Sequence, residues 1–380
     1  MKRLNPFFLA GTFLLMSFLD LQAQDKAVSS GVPFLLIGPD ARSGGVADAS
    51  TGLTADATSL HANAAKILFG APAGLSLSYT PWMRQLVNDA DFGYISAYRH
   101  MNAREALGMS VRYLSLGTIE FRDNSGSLLQ NYKANEFSID GSYARKLGEH
   151  FSMGLTGRFI HSDLGSGNYN GLEQQAASAA AADIAVYYDR DIEQGTYDKR
   201  IAWGISLSNI GTKLQYTGNE KTFLPMNLRL GGGYSFYADP DNRLTLLLDI
   251  NKLMVPTPPR YNADGSIAAG KDPDRSVASA LLGSLFDAPG GFREELSEFS
   301  LAAGMEYSYY QQVFFRAGYF YEDPQKGNRQ HFAIGAGLKV KDLSFDFSYL
   351  VPTGSRFTLK KTAKFSLGYT FGKKEDTVQR

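Results

Sequence analysis

The chain has 380 residues, with Lys+Arg and Asp+Glu both at 38 and no cysteine. The balance argues against a nucleic-acid surface, and the missing cysteine excludes a disulfide framework or a Cys-ligated metal. A mean hydropathy of −0.21 is too low for a bundle of membrane helices but leaves a transmembrane barrel open, because only alternate strand residues of a barrel meet lipid.

The first residues read as a secretory signal, residues 1–23. Lys2 and Arg3 form a basic start, Pro6–Phe18 is apolar, and Leu21-Gln22-Ala23 offers a small residue for cleavage before Gln24. That apolar run is too short to span a bilayer, and no later stretch reaches the length of a membrane helix. Insertion must therefore use strands.

Residues 24–72 do not alternate. Asp56–Asn63 has the pattern of a short helix capped by Asp or Thr. Leu35, Leu36, Ile37, Ile67, Leu68 and Phe69 need burial, so the segment is expected to fold into a barrel lumen as a plug rather than trail as a periplasmic extension.

From there a period of two runs through residues 73–372. Strands are predicted near 74–83, 91–100, 106–116, 134–145, 151–162, 182–190, 200–210, 226–237, 242–253, 298–309, 313–322, 331–340, 343–351 and 363–372. The expected fold is all-β: an even-stranded, 14-stranded antiparallel transmembrane β-barrel with an N-terminal plug segment and a periplasmic tail at 373–380.

Connection lengths sort by parity. The gaps His100–Glu105, Lys146–His150, Ala238–Asp241, Tyr310–Gln312 and Lys341–Asp342 are short, and Asp191–Lys199, which falls in the same alternation, is the exception. Thr118–Lys133, Asp163–Ala181, Gly211–Pro225, Met254–Ser297, Asp323–Gln330 and Pro352–Thr362 are longer. Short periplasmic turns alternating with long external loops are the pattern of a bacterial barrel, and a soluble sandwich has no reason to show it.

The clearest hairpin is His331–Val351. If Lys341-Asp342 is its turn, Val340 faces Leu343 and Leu338 faces Phe345, so the apolar faces coincide. The other side is Ala, Gly, Ser and Asp, which suits a lumen better than water. The final strand carries Phe365, Leu367, Tyr369 and Phe371 on one face. In water such an edge invites aggregation, and closure onto the first strand removes it.

Loop Met254–Ser297 is the longest. Pro256 and Pro258 open it, and Val277, Leu281 and Leu285 fall on one helical face with Leu282 and Phe286 beside them. Long loops with their own helix are usually functional, so it is a candidate for partner or cargo contact, or a cover for the barrel mouth. The Ala176–Ala182 run carries no chemistry.

The five histidines, His61, His100, His150, His161 and His331, are scattered and not spaced for metal. No phosphate loop, dinucleotide fingerprint or nucleophile elbow is present. Gly231-Gly-Gly233 marks a bend or close packing inside a strand. Glu306, Arg316, Lys339 and Asp346 are expected to face the lumen and pair there rather than serve as an acid–base site. No enzyme activity and no cofactor are expected.

Ala41-Arg-Ser-Gly-Gly-Val-Ala-Asp-Ala49 and Ala55-Asp-Ala-Thr-Ser-Leu-His-Ala-Asn-Ala-Ala65 resemble the start of FadL-like outer-membrane barrels. Arg42, Gly44, Gly45, Asp56, Asn63 and Ala65 fit, while Ala64 stands where that family usually has Pro. Val28-Ser-Ser-Gly-Val-Pro-Phe-Leu-Leu-Ile37, Pro39-Asp-Ala-Arg-Ser-Gly-Gly45 and Thr80-Pro-Trp-Met83 are similar to the PorV/PorQ branch of that superfamily, found in Bacteroidetes. The resemblance implies an outer-membrane component of the type IX protein secretion system. Such proteins accept cargo with a C-terminal β-domain from a large SprA/Sov-like translocon barrel and pass it to a surface attachment complex with a sortase-like PorU member. Besides lipid, these are the expected partners. The competing expectations are a FadL-like transporter of fatty acids or other hydrophobic compounds and an open porin.

Overall fold

The computed structural model describes residues 27–82, 89–122, 125–169, 172–192, 198–218, 220–353 and 361–372. The predicted signal segment 1–23 and the tail 373–380 lie outside the described residues. Among the described residues, fourteen strands close into one antiparallel barrel. They are β1 Ala73–Pro81, β2 Asp91–Asn102, β3 Glu105–Arg122, β4 Leu128–Lys146, β5 Phe151–Asp163, β6 Ala177–Ile192 and β7 Lys199–Gly211, followed by β8 Asn227–Tyr237, β9 Asn242–Leu253, β10 Phe299–Tyr309, β11 Val313–Tyr321, β12 His331–Val340, β13 Leu343–Pro352 and β14 Thr362–Phe371. Each pairs with its sequence neighbours. Closure joins β1 to β14, Ala73 opposite Phe371 and Tyr79 opposite Phe365, which leaves no edge in the membrane.

The β12–β13 register is the expected one, with Val340 opposite Leu343 and Leu338 opposite Phe345. Lys341 takes a φ of 57° to close so tight a turn. The alternation has its apolar side outward. Phe332, Ile334, Leu338, Phe345, Phe347 and Phe365 are exposed, whereas Ala333, Ser348 and Ser366 are buried inside. Leu75, Ile95, Met109, Leu155, Leu246 and Leu301 continue this exposed belt around the wall. A soluble monomer seldom exposes an apolar patch beyond a few hundred Å², so the belt needs lipid as its solvent. No helix among the described residues is long and apolar enough to cross a membrane.

Two expected loops shrink. Thr118–Lys133 is mostly strand, because β3 and β4 continue past a bulge at Ser115/Thr118 and stay paired to Arg122 opposite Leu128. Phe121 packs edge-on to Tyr132, whose hydroxyl donates to Asp163, and these contacts hold the projecting hairpin. The alanine run belongs to β6. Ala177, Ala179 and Ala181 pack with Val32, Phe34 and Leu35, and larger side chains there would fill the space those residues occupy.

Candidate functional site: the lumen and its outer mouth

Residues 27–72 lie against the inward-facing side chains of the wall. The short helix α1, Ala41–Gly45, touches β11 to β14, the Ala57–His61 turn touches β1 to β3, and Ala64–Phe69 touches β3 to β6. Local chemistry shapes each piece. The Asp40 carboxylate caps α1 by accepting from Ser43 N, and Asp56 with Ser59 forms a reciprocal capping box. The Asn63 side chain accepts from Ala65 N and donates to the Val186 carbonyl of the wall. The expected Asp56–Asn63 helix is a tighter 3₁₀ turn, Ala57–His61.

The segment and wall approach at backbone distance where both lack side chains. A Cβ on Gly45 would lie 3.1 Å from Gly335 Cα, and one on Gly154 would lie 2.7 Å from Ala65 N. Gly52 meets Gly232 and Gly233, so the Gly231–Gly233 run is a contact surface for the segment. A Cβ on Gly44 would instead meet wall side chains, Ser348 Oγ at 2.7 Å and Lys364 Cδ at 2.9 Å.

Charge fixes what shape has placed. Arg42 pairs with Asp56 at 2.5 Å and with Glu306 at 3.4 Å. Glu306 is 1 % exposed and also pairs with Arg316 at 2.8 Å and Arg243 at 3.5 Å. Arg316 reaches Asp346 at 2.6 Å. Three of the four expected lumen charges therefore meet around Arg42. Lys339 does not join them: it sits half-buried two residues from the short Lys341–Asp342 turn, beyond the level of this network.

A second network escaped the sequence reading. Arg112 and Arg158 pair with Asp140 at 3.2 and 2.7 Å, and Arg158 also with Asp183 at 3.0 Å. Arg112 donates to the Leu35 carbonyl, which ties this network to the segment too. Asp249 accepts from the backbone of Ser50 and Thr51, and Arg200 donates to the Gly52 carbonyl. Lys66 donates to the Ser50 carbonyl at 2.8 Å, and burial pushes its ammonium down to about 8. Enclosure, with Arg112 and Arg229 nearby, keeps His61 well below the usual imidazole range.

Near the long-loop end a cavity of about 430 Å³ remains, lined by apolar Leu35, Ile37 and Leu253 and by polar Arg229, Asn227 and Ser206. The long loop closes beside it. Its helix α2, Val277–Gly283, ends sooner than the apolar pattern suggested. Val277, Leu281 and Leu285 pack on Met226, Met254 and Val255, with Pro256 buried and Pro258 partly so. Leu282 and Phe286 instead stand 75 % and 73 % exposed. A second helix, α3, Phe292–Ser297, was not expected. Asp287, Glu295 and Glu298 of this loop converge as metal ligands would. Lys252 lies 3.1 and 2.6 Å from the two glutamates and Arg275 pairs with Asp287, so resident cations already balance them.

Of the histidines, His100 contacts the Ile67 carbonyl, His161 contacts Ser178, and His331 stacks on Phe320. They do not converge.

A sequence model described as "Type IX secretion system protein PorV" matches residues 20–260. No curated protein matches the chain. Among solved structures it is similar to the CymD monoaromatic hydrocarbon channel, with a TM-score of 0.51 and 13 % identity over 89 % of this chain and 99 % of that one. It is also similar to the Pseudomonas putida toluene transporter TodX, with a TM-score of 0.46 and 10 % identity over 91 % and 98 %. A Pseudomonas aeruginosa FadL homologue gives a TM-score of 0.43 and 12 % identity over 91 % and 99 %. At these identities the likeness concerns the fold of the outer-membrane barrel.

Proposed function

Because the chain belongs to the PorV family of the type IX secretion system, and so to a secretion family rather than an enzyme family, we propose that it carries cargo at the outer membrane. It binds secreted proteins through their C-terminal signal domain as they leave a large translocon barrel. It then delivers them to a surface attachment complex with a sortase-like member.

The observation that carries this reading is the occupied lumen. Residues 27–72 act as a plug, pinned by Arg42 to Asp56 and Glu306 and by Arg112 to the Leu35 carbonyl. A solute-sized route past such contacts requires breaking buried ion pairs, which is costly. Cargo must then be held at the outer mouth, where the long loop and the 430 Å³ cavity lie. A transporter of hydrophobic compounds needs a continuous apolar passage, and here the lumen is crossed by the ion pairs around Glu306 and Asp140.

The test is affinity purification from native membranes, where a giant translocon barrel or a sortase-like protein is the expected companion. Deleting residues 256–292 should stop cargo release while the barrel stays heat-modifiable on gels. Secretion that persists in the deletion removes the loop from the docking role.

A further inference from the structure

The long loop leans over the outside of the wall. Lys252 shares a strand face with Leu246 and Leu248, which are exposed to lipid, yet Lys252 is 1 % exposed. The Glu295 and Glu298 carboxylates cover it. Leu207 and Leu228 likewise share the outward faces of Ile205 and Leu230, and both join Val277, Leu281 and Leu285 in one apolar cluster around Met226, Met254, Val255 and Ala280. The loop thus covers the outward side of β7, β8 and β9 at their long-loop ends.

Those ends lack the exposed aromatic residues that several other strands carry. Tyr79, Tyr113, Phe159 and Phe332 stand exposed toward the long-loop ends of β1, β3, β5 and β12. An outer-membrane barrel places such aromatic residues at the headgroup level. On β7 and β8 the aromatic residues, Trp203, Tyr234, Phe236 and Tyr237, sit toward the short-turn ends, and β9 has none. The loop presents Leu282 and Phe286, four residues apart, and Phe292 and Leu296, again four apart, as exposed side chains. On α3 the Glu295 side chain turns inward to Lys252 while Phe292, 75 % exposed, turns away. Both glutamates of α3 turn to the barrel, Glu295 to Lys252 and Glu294 to Lys326, while Phe292, Arg293 and Leu296 stay exposed, an apolar and basic surface suited to a lipid interface.

We propose that α2 and α3 form a membrane lip that sets Leu282, Phe286, Phe292 and Leu296 into the headgroup region of the outer leaflet. They continue the lipid-facing belt of Leu230, Leu248 and Leu301 and replace the aromatic girdle missing from β7–β9. The lip goes beyond the secretion reading and stands or falls independently of it.

The absence of native cysteine makes the test direct. Phe286→Cys and Phe292→Cys are spin-labelled in full-length protein in phosphatidylethanolamine/phosphatidylglycerol vesicles. Collision with oxygen and with a water-soluble nickel chelate is then compared. Leu248→Cys supplies the lipid-facing control, and Asp264→Cys, at an exposed loop position, the aqueous one. Oxygen is expected to dominate at 286 and 292 as at 248. Nickel dominating, as at 264, overturns the proposal. So does shielding from both reagents in native membranes, which assigns the surface to a protein partner. If either variant fails to become heat-modifiable, Leu282→Cys and Leu296→Cys give the same reading.

Discussion

Replacing Glu306 by glutamine removes the one negative charge that Arg42, Arg316 and Arg243 share at 3.4, 2.8 and 3.5 Å. Glutamine keeps the volume, so the loss is electrostatic. Asp56 and Asp346 still neutralise two of the three cations, and one buried guanidinium is left uncompensated. Breaking a buried pair by removing one partner costs about 3–5 kcal/mol. The remaining carboxylates place E306Q near the lower end, about 3 kcal/mol, or roughly two decades in the unfolding equilibrium. Urea titration in detergent, followed by heat-modifiability, should show the lower midpoint. Because Arg42 loses one of its two carboxylates, residues 27–72 should also become more susceptible to added protease. Lys339→Ala serves as the control, since Lys339 has no ion pair among the described residues, and it should stay within about 0.5 kcal/mol. An E306Q midpoint equal to that of K339A refutes the idea that this network pins the segment.

The remaining predictions concern the same segment. Gly154→Ala puts a methyl 2.7 Å from Ala65 N, with only backbone to yield, so stability should fall by about 1–3 kcal/mol and leak current should rise. Gly141→Ala, whose Cβ would meet nothing, should change neither. Burial alone would raise the Asp56 carboxyl, but the Arg42 charge and the Thr58 hydrogen bond hold it below its usual range. The stability it contributes is complete above its unfolded value, about 4, and is lost as pH falls through the lower folded value. Asp56→Asn should therefore lower the melting temperature at pH 7, and the gap to the parent should narrow only in acid.

Much of the barrel was legible because strand periodicity survives the change of solvent. Phe332, Phe345 and Phe365 alternate with small or polar residues whether the apolar side meets lipid or a core, and loop parity then chose lipid. Arg112, Asp140, Arg158 and Asp183 were missed for a different reason. Each is the polar residue in an alternating strand, Arg112 between Val111 and Tyr113 and Asp140 between Ile139 and Gly141, and looks unremarkable alone. Their partnership depends on cross-strand register: Asp140 lies opposite Arg158 and Ser110, which brings Arg112 within reach. The inward parity of these charges was the available signal. Lys339 failed in reverse, since parity reports the face of a strand but not the height along the barrel. The alanine run was read as empty of chemistry, and its meaning lies in the Val32–Leu35 stretch it accommodates. In the long loop, spacing found the packed residues Val277, Leu281 and Leu285. It set Leu282 and Phe286 beside that face, and both stand exposed, Leu282 on the open side of the helix and Phe286 past its end at Gly283.

Single-channel conductance in planar bilayers tests the closed lumen most directly. The chain from Gln24 onward should pass little current, and the same barrel without residues 24–72 should conduct as an open pore. Equal conductance in the two would contradict the account, because residues 24–72 would then not be what closes the lumen to solutes.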